Sequence, residues 1–282
     1  MLRGWSKFVC NECGHKFVGM DFEYQCTVLS APLKCPACGS WHTRPAWSWW
    51  QKWVYKEIWK AQDEYRNKTE EQKYMKDGVF FRPFVGASYA GGGLFGKRIM
   101  VLGESHYCDE GCADCGSCLR HRECMEFTSG VVEQYLDRGV ERQRWMQTLL
   151  KFERSLVGCE TDQAQSQRIW QSVVFYNYLQ VAMGGPREAG TAAQYRQAGE
   201  VLFDVMEKYQ PECLIVWGNR LWDKLPGERW TDGEDIVVDG CRTATGAYSL
   251  ASGRTVRAMA VNHPSVGYSW DYWHRVIANF LK

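Results

Sequence analysis

Glu104 and His263 are the residues whose flanks best fit them for chemistry. Glu104 lies in Gly103-Glu104-Ser105-His106-Tyr107, directly after the apolar run Arg98-Ile99-Met100-Val101-Leu102. His263 opens His263-Pro264-Ser265, directly after Met259-Ala260-Val261-Asn262. A carboxylate and an imidazole are the side chains that position water, move protons and answer developing charge near neutral pH. Short apolar runs of this kind read as buried strands. In an open parallel α/β sheet, chemistry sits beyond the carboxyl ends of the strands. Two further runs end in polar groups: Val173-Val174-Phe175-Tyr176 in Asn177, and Cys213-Leu214-Ile215-Val216-Trp217 in Gly218-Asn219-Arg220. Four such strand ends form one edge of a sheet, and so one site.

The thirteen cysteines offer a second chemistry. Cys10-Asn11-Glu12-Cys13-Gly14 and Cys35-Pro36-Ala37-Cys38-Gly39 are paired CxxCG turns. Each turn points two thiolates at one point, and four thiolates in a tetrahedron fit structural Zn2+. A second cluster follows Tyr107, namely Cys108, Cys112, Cys115, Cys118 and Cys124 with His121 among them. Cys112, Cys115, Cys118 and Cys124 are the first choice of ligands, with Cys108 or His121 as substitutes. Spacing does not decide between Zn2+ and an iron–sulfur cluster. Cys159, Cys213 and Cys241 read as isolated core residues.

These groups need elements to hold them. Residues 1–45 read as a zinc ribbon too small to fold without its ion. Residues 46–79 read as an aromatic helical linker. In it Trp49 and Trp53, and Trp50, Val54 and Ile58, recur at helical spacing. That helix is expected to pack the ribbon onto the main domain, the sharper alternative being an aromatic surface for nucleic acid. Residues 80–282 read as the catalytic domain, with the Cys-rich insertion at 108–124. Strands are expected at 98–102, 173–176, 213–217, 236–238 and 256–261, the fourth as an edge or hairpin strand. Helices are expected at about 128–156, 190–209, 219–225 and 269–281. Alternating strands and helices imply an α/β fold, three layers α/β/α around a central parallel sheet. The net charge of +1 gives no reason in itself to expect nucleic acid. No stretch is long and apolar enough to span a bilayer, and the first residues lack the apolar core of a signal peptide. A cytoplasmic protein without membrane attachment is expected, with no obligate protein partner evident.

In its ordered motifs the chain resembles the uracil-DNA glycosylase superfamily over about residues 80–282. The first motif of that family follows the first core strand and includes Gly-Gln-Asp-Pro-Tyr-His in one branch and Gly-Glu-Ala-Pro-Gly in another. Here it is Gly103 to Tyr107. The last motif, His-Pro-Ser, is His263-Pro264-Ser265, and the strand with a terminal Asn is Val173 to Asn177. Pro211 to Gly218 is similar to the family's strand that runs into Gly and a helix. There are departures. Ser105 stands where other branches have Asp or Asn, and His106 where Pro is usual, so Glu104 is the first motif's only carboxylate. The Glu-bearing branch carries an iron–sulfur cluster with a Cys soon after the Asn strand. Leu179, Gln180 and Val181 occupy that region here.

The resemblance implies a monofunctional glycosylase that flips a base out of DNA and hydrolyses its bond to the sugar. Glu104 would position water and stabilise an oxocarbenium-like sugar. His263 would donate to the departing base, and Asn177 would read its edge. Gly103, Ser105, His106, Tyr107, Phe175, Asn219, Pro264 and Ser265 would line the substrate site. Among these, Tyr107 or Phe175 would stack on the base and Ser265 would hold a flanking phosphate. No Lys lies in the motifs, so lyase chemistry is not expected. The Cys-rich insertion points away from uracil and toward a larger base, such as glucosylated hydroxymethylcytosine in phage DNA, as in superfamily members that defend against phage. Two alternatives stand beside it: a uracil-repair enzyme, and a non-catalytic DNA-binding module that senses bases.

Overall fold

The computed structural model describes residues 2–25, 29–62, 79–108, 124–185 and 188–282. The chain divides into two units, Met1–Lys73 and Tyr74–Lys282.

In the first unit, β1 (Leu2–Cys10), β2 (Lys16–Phe22) and β3 (Thr43–Pro45) form an antiparallel sheet in the order β2-β1-β3. A 3-10 turn, Ala46–Gln51, leads into a helix over 52–62. The helix buries Tyr55, Ile58 and Trp59, an i, i+3, i+4 stripe, whereas Trp53 is 72% exposed. The stripe expected through Trp53 is therefore not the buried one. Polar tips fix the packing. The Tyr55 hydroxyl donates to the Ser30 carbonyl at 3.1 Å, and the Trp59 indole N–H donates to the Thr43 carbonyl at 3.1 Å. This helix thus packs against the ribbon itself.

The second unit is built on a seven-stranded sheet. Its strands are β4 (Phe84–Val85), β5 (Ile99–Gly103), β6 (Val173–Asn177), β7 (Cys213–Trp217), β8 (Trp230–Asp232), β11 (Thr245–Ser249) and β12 (Thr255–Val261). The order is β4-β6-β5-β7-β12-β11-β8. The middle four, β6-β5-β7-β12, are parallel, and β5, β6 and β7 are buried at every position. That is the signature of strands covered on both faces. Alternate residues feed opposite cores. Ile99 and Val101 join one, with Phe152, Trp170, Val276 and Phe280, while Met100 and Leu102 join the other, with Leu202, Val205 and Met206. The first core takes side chains from α1 (Phe127–Leu136), α2 (Met146–Val157), α3 (Gln163–Trp170) and α6 (Trp270–Phe280). The second takes them from α4 (Ala192–Tyr209).

The α/β class holds, but the sheet is mixed rather than parallel. β4 and β11 run against the parallel set, and β8 pairs antiparallel with β11 at the edge. The reason for β11 and β12 is a short turn through Gly253, which has no room for a crossover helix. The 236–238 run becomes β9 (Ile236–Val238), paired only with β10 (Cys241–Thr243). Their turn, Asp239-Gly240, has both φ angles positive, at 51° and 76°, as a two-residue hairpin demands. The single helix expected over 128–156 is two, α1 and α2. The unexpected α3 begins at a capping box between Asp162 and Gln165. Among the described residues, no helix is long and apolar enough to cross a membrane.

Candidate active site and cysteine cluster

The order β6-β5-β7-β12 sets Asn177, Glu104, Arg220 and His263 side by side along one sheet edge. Each follows, or ends, a strand of the parallel set. Gly103 ends β5 in register with Asn177 of β6. A Cβ on Gly103 would lie 2.2 Å from Asn177 Oδ1, so this glycine lets the amide close over the backbone. Beyond it, residues 104–108 are laced to 178–183. The N–H groups of Tyr178 and Leu179 donate to the carbonyls of Gly103 and Glu104, and that of Met183 donates to His106.

Glu104 is held from two sides. Arg220 of the one-turn helix α5 (Asn219–Trp222) grips it with two nitrogens: Nε reaches Oε1 at 2.9 Å and Oε2 at 3.0 Å, and Nη2 reaches Oε2 at 2.5 Å. Tyr195 of α4 donates its hydroxyl to Oε1. Burial, and then the Glu104 carboxylate, push the pKa of Tyr195 up to about 12. The Glu104 side chain is 12% exposed and that of Arg220 is 44% exposed, so the pair is open to water on the arginine side.

His263 accepts the Ser265 N–H at Nδ1 (3.2 Å), and the same nitrogen lies 2.7 Å from Ser265 Oγ. An acceptor Nδ1 puts the proton of the neutral ring on Nε2. Burial and the Arg220 charge lower its pKa, against the opposing pull of Glu104. The result is a neutral imidazole with a donor N–H. Its ring stands edge-on to Trp217 at 6.0 Å. The Trp217 indole N–H is buried with no partner among the described residues.

No family model matches this chain, and no curated protein matches it.

The remaining expected residues fall into two groups. His106, Asn177, Phe175 and Pro264 are buried. His106 lies 2.9 Å from Thr128 Oγ1 and 3.1 Å from the Asn177 amide nitrogen, between the rings of Phe81 and Phe127. Burial drives its pKa down to about 3, so it is neutral. Phe175 packs on Trp170 and Trp217 and forms a floor under Gly103. Tyr107, Asn219 and Ser265 are exposed, and Ser105 is half-buried. At 45%, Tyr107 is the exposed aromatic of the first motif. Sequence reading set Arg220 at the strand end but gave the role there to Asn219. It missed Tyr195 altogether, because nothing local marks one tyrosine of an amphipathic helix.

In the first unit, Cys10, Cys13, Cys35 and Cys38 bring their sulfurs within 4.8 Å of one another. The Cys10–Cys38 and Cys13–Cys35 separations are 3.6 Å and 3.7 Å. A tetrahedral site with metal–sulfur bonds of about 2.3 Å has edges of about 3.8 Å, so the four fit one metal ion. Gly14 and Gly39, at φ 72° and 74°, donate back to the Cys10 and Cys35 carbonyls and close the two turns. Crowding splits the thiols. Burial opposes ionisation of Cys35, but N–H groups of Cys38 and Ala37 bring it to about 7. Cys38 rises to about 12, because its bond from Ser40 is outweighed by the neighbouring thiols and burial. A cation removes that conflict. Of the second cluster, Cys112, Cys115, Cys118 and His121 lie outside the described residues, while Cys108 and Cys124 are half-buried.

Proposed function

We propose that this protein is a monofunctional DNA glycosylase that hydrolyses the bond between a modified base and its sugar, leaving an abasic site. The observation that carries the reading is Glu104 and the neutral, Nε2-protonated His263 on one sheet edge, after β5 and β12, with β7 and its Arg220 between them. Breaking a base–sugar bond builds positive charge on the sugar and negative charge on the base. Glu104 answers the first and orients water; the His263 Nε2–H answers the second. Tyr107 offers a ring for stacking. Asn177, bonded to His106, stands at the end of β6 on the other side of Glu104's strand.

A bulky modified cytosine, such as glucosylated hydroxymethylcytosine of phage DNA, is the favoured substrate. Support comes from the motif resemblance and the Cys-rich insertion beside Glu104, for which a second metal, Zn2+ or an iron–sulfur cluster, is proposed. Zn2+ is proposed for the Cys10, Cys13, Cys35 and Cys38 cluster on its all-thiolate donor set.

One observation favours a second reading. The two-nitrogen grip of Arg220 occupies the carboxylate that should activate water. A non-catalytic module that senses bases on the same fold would keep such a pair shut. Mass spectrometry of bases released from genomic and phage DNAs of differing modification separates the two. The enzyme releases a modified base, and Glu104→Gln abolishes release while DNA binding persists. Uracil released as fast as modified cytosine would replace the favoured substrate. No release from any DNA, with binding intact, would establish the sensing module.

A further inference from the structure

A pocket of 190 Å³ lies between Trp222 of α5, the turn that follows it and the antiparallel edge β11–β8. Its walls include Trp222, Trp230, Tyr248, Pro226 and Asp232. The Trp222 and Trp230 rings meet at 83° with centroids 5.3 Å apart, and Tyr248 meets Trp230 at 4.9 Å. Trp230 lies against the backbone of Gly246, where a Cβ would come within 2.0 Å of the ring. Its wall is therefore fixed.

The wall's hydrogen-bonding groups are turned inward. The Trp230 indole N–H donates to Asp232 Oδ1 at 2.7 Å, the Tyr248 hydroxyl to the Pro226 carbonyl at 2.9 Å, and the Thr245 hydroxyl to the Glu234 carbonyl at 2.8 Å. What is left to a ligand is π surface, the Trp222 indole N–H and the exposed carboxylate of Asp232, which pairs with no Lys or Arg among the described residues. Of the edge donors and acceptors a nucleobase needs, those of Trp230, Tyr248 and Thr245 are already spent. An anion meets Asp232. A cation that needs no hydrogen bond finds both the ring quadrupoles and the negative charge it requires. We propose that this pocket binds a quaternary ammonium group, free or carried on a methylated lysine. The site is separate from the strand-end residues and does not rest on the reading proposed for them.

The test is calorimetric titration of the whole protein with tetramethylammonium chloride at fixed ionic strength. Choline is compared with its neutral carbon isostere, 3,3-dimethylbutan-1-ol. Saturable binding is expected for both cations, at least ten-fold tighter than for the isostere. Asp232→Asn and, independently, Trp222→Ala should each weaken it at least ten-fold without lowering Tm appreciably. Choline against a trimethyllysine peptide then distinguishes the source by the tighter binder, either result supporting the site. Equal binding of the isostere, saturable binding of adenine in preference to the cations, or no saturation by any cation in folded protein would overturn the proposal.

Discussion

In the cysteine cluster, two tight turns of one small unit deliver four sulfurs, and each turn is closed by its own glycine. At the strand ends, one carboxylate is held by a tyrosine 91 residues away and an arginine 116 residues away. The first site asks little of the chain around it, and its four sulfurs could hold an ion that balances their charge. The second sets its carboxylate against an arginine, and exists only once four strands and two helices are in place. The difference should appear in what disrupts each.

Metal removal should divide the molecule most sharply. Chelation, or Cys35→Ser, is expected to unfold the first unit while the second stays folded, because the small unit has few buried apolar residues beyond Phe8, Tyr55, Ile58 and Trp59. Limited proteolysis followed by mass spectrometry reads this directly. A ribbon that stays protected after complete chelation would erase the contrast.

Next is Glu153, fully buried on α2. It accepts bonds from Ser166 at 2.6 Å, from the Trp170 indole at 2.9 Å and from Thr161. Glu153→Ala leaves three donors without an acceptor and should cost about 3 kcal/mol in denaturant unfolding of the second unit. The metal content of the cysteine cluster should not change.

Glu104→Gln comes third. It keeps the shape but breaks the ion pair, and base release should fall by roughly 10²-fold or more. An abasic-site assay developed with alkali measures it. Activity within a factor of two of wild type would remove Glu104 from the chemistry.

In the second unit a pH effect should trace to His106. His106 titrates near 3 when folded and near 6.5 when unfolded. The unfolded chain therefore binds the extra proton, and this contribution to stability is complete above about 6.5 and lost as pH falls toward about 3. Between pH 6.5 and 5 the loss should be roughly 2 kcal/mol. Unfolding of His106→Asn at both pH values should show a correspondingly smaller change. An equal slope in wild type and variant would rule out His106 as the cause.

The smallest stability effect belongs to Arg220→Lys. Its half-exposed ion pair should contribute under about 1 kcal/mol to unfolding. The variant loses the two-nitrogen grip on Glu104, so a larger change in base release than in Tm would mark Arg220 as a positioning residue.

The paired CxxCG strings, the parallel strands and the strand-end residues Glu104, Asn177 and His263 were legible because their determinants are local. Two cysteines in one turn, or five apolar residues before a polar one, carry their meaning within a few positions. Several features were not local. The edge strands β4 and β8, of two and three residues, are too short to announce themselves, and Thr245-Gly246-Ala247-Tyr248-Ser249 of β11 forms no apolar run. Asn177 reads as a base-contacting amide until the fold closes it on His106. The Ser265 hydroxyl, expected at a phosphate, lies on His263 Nδ1 in the fold. Tyr195 and Arg220 reach Glu104 only because α4 covers one face of the sheet and β7 lies between β5 and β12. By itself, then, the sequence determined which chemical groups stand at strand ends and which thiols share a turn. Only the tertiary structure decided which of those groups neutralise one another, because partners in an ion pair or a buried hydrogen bond are chosen by strand order and helix packing, not by distance along the chain.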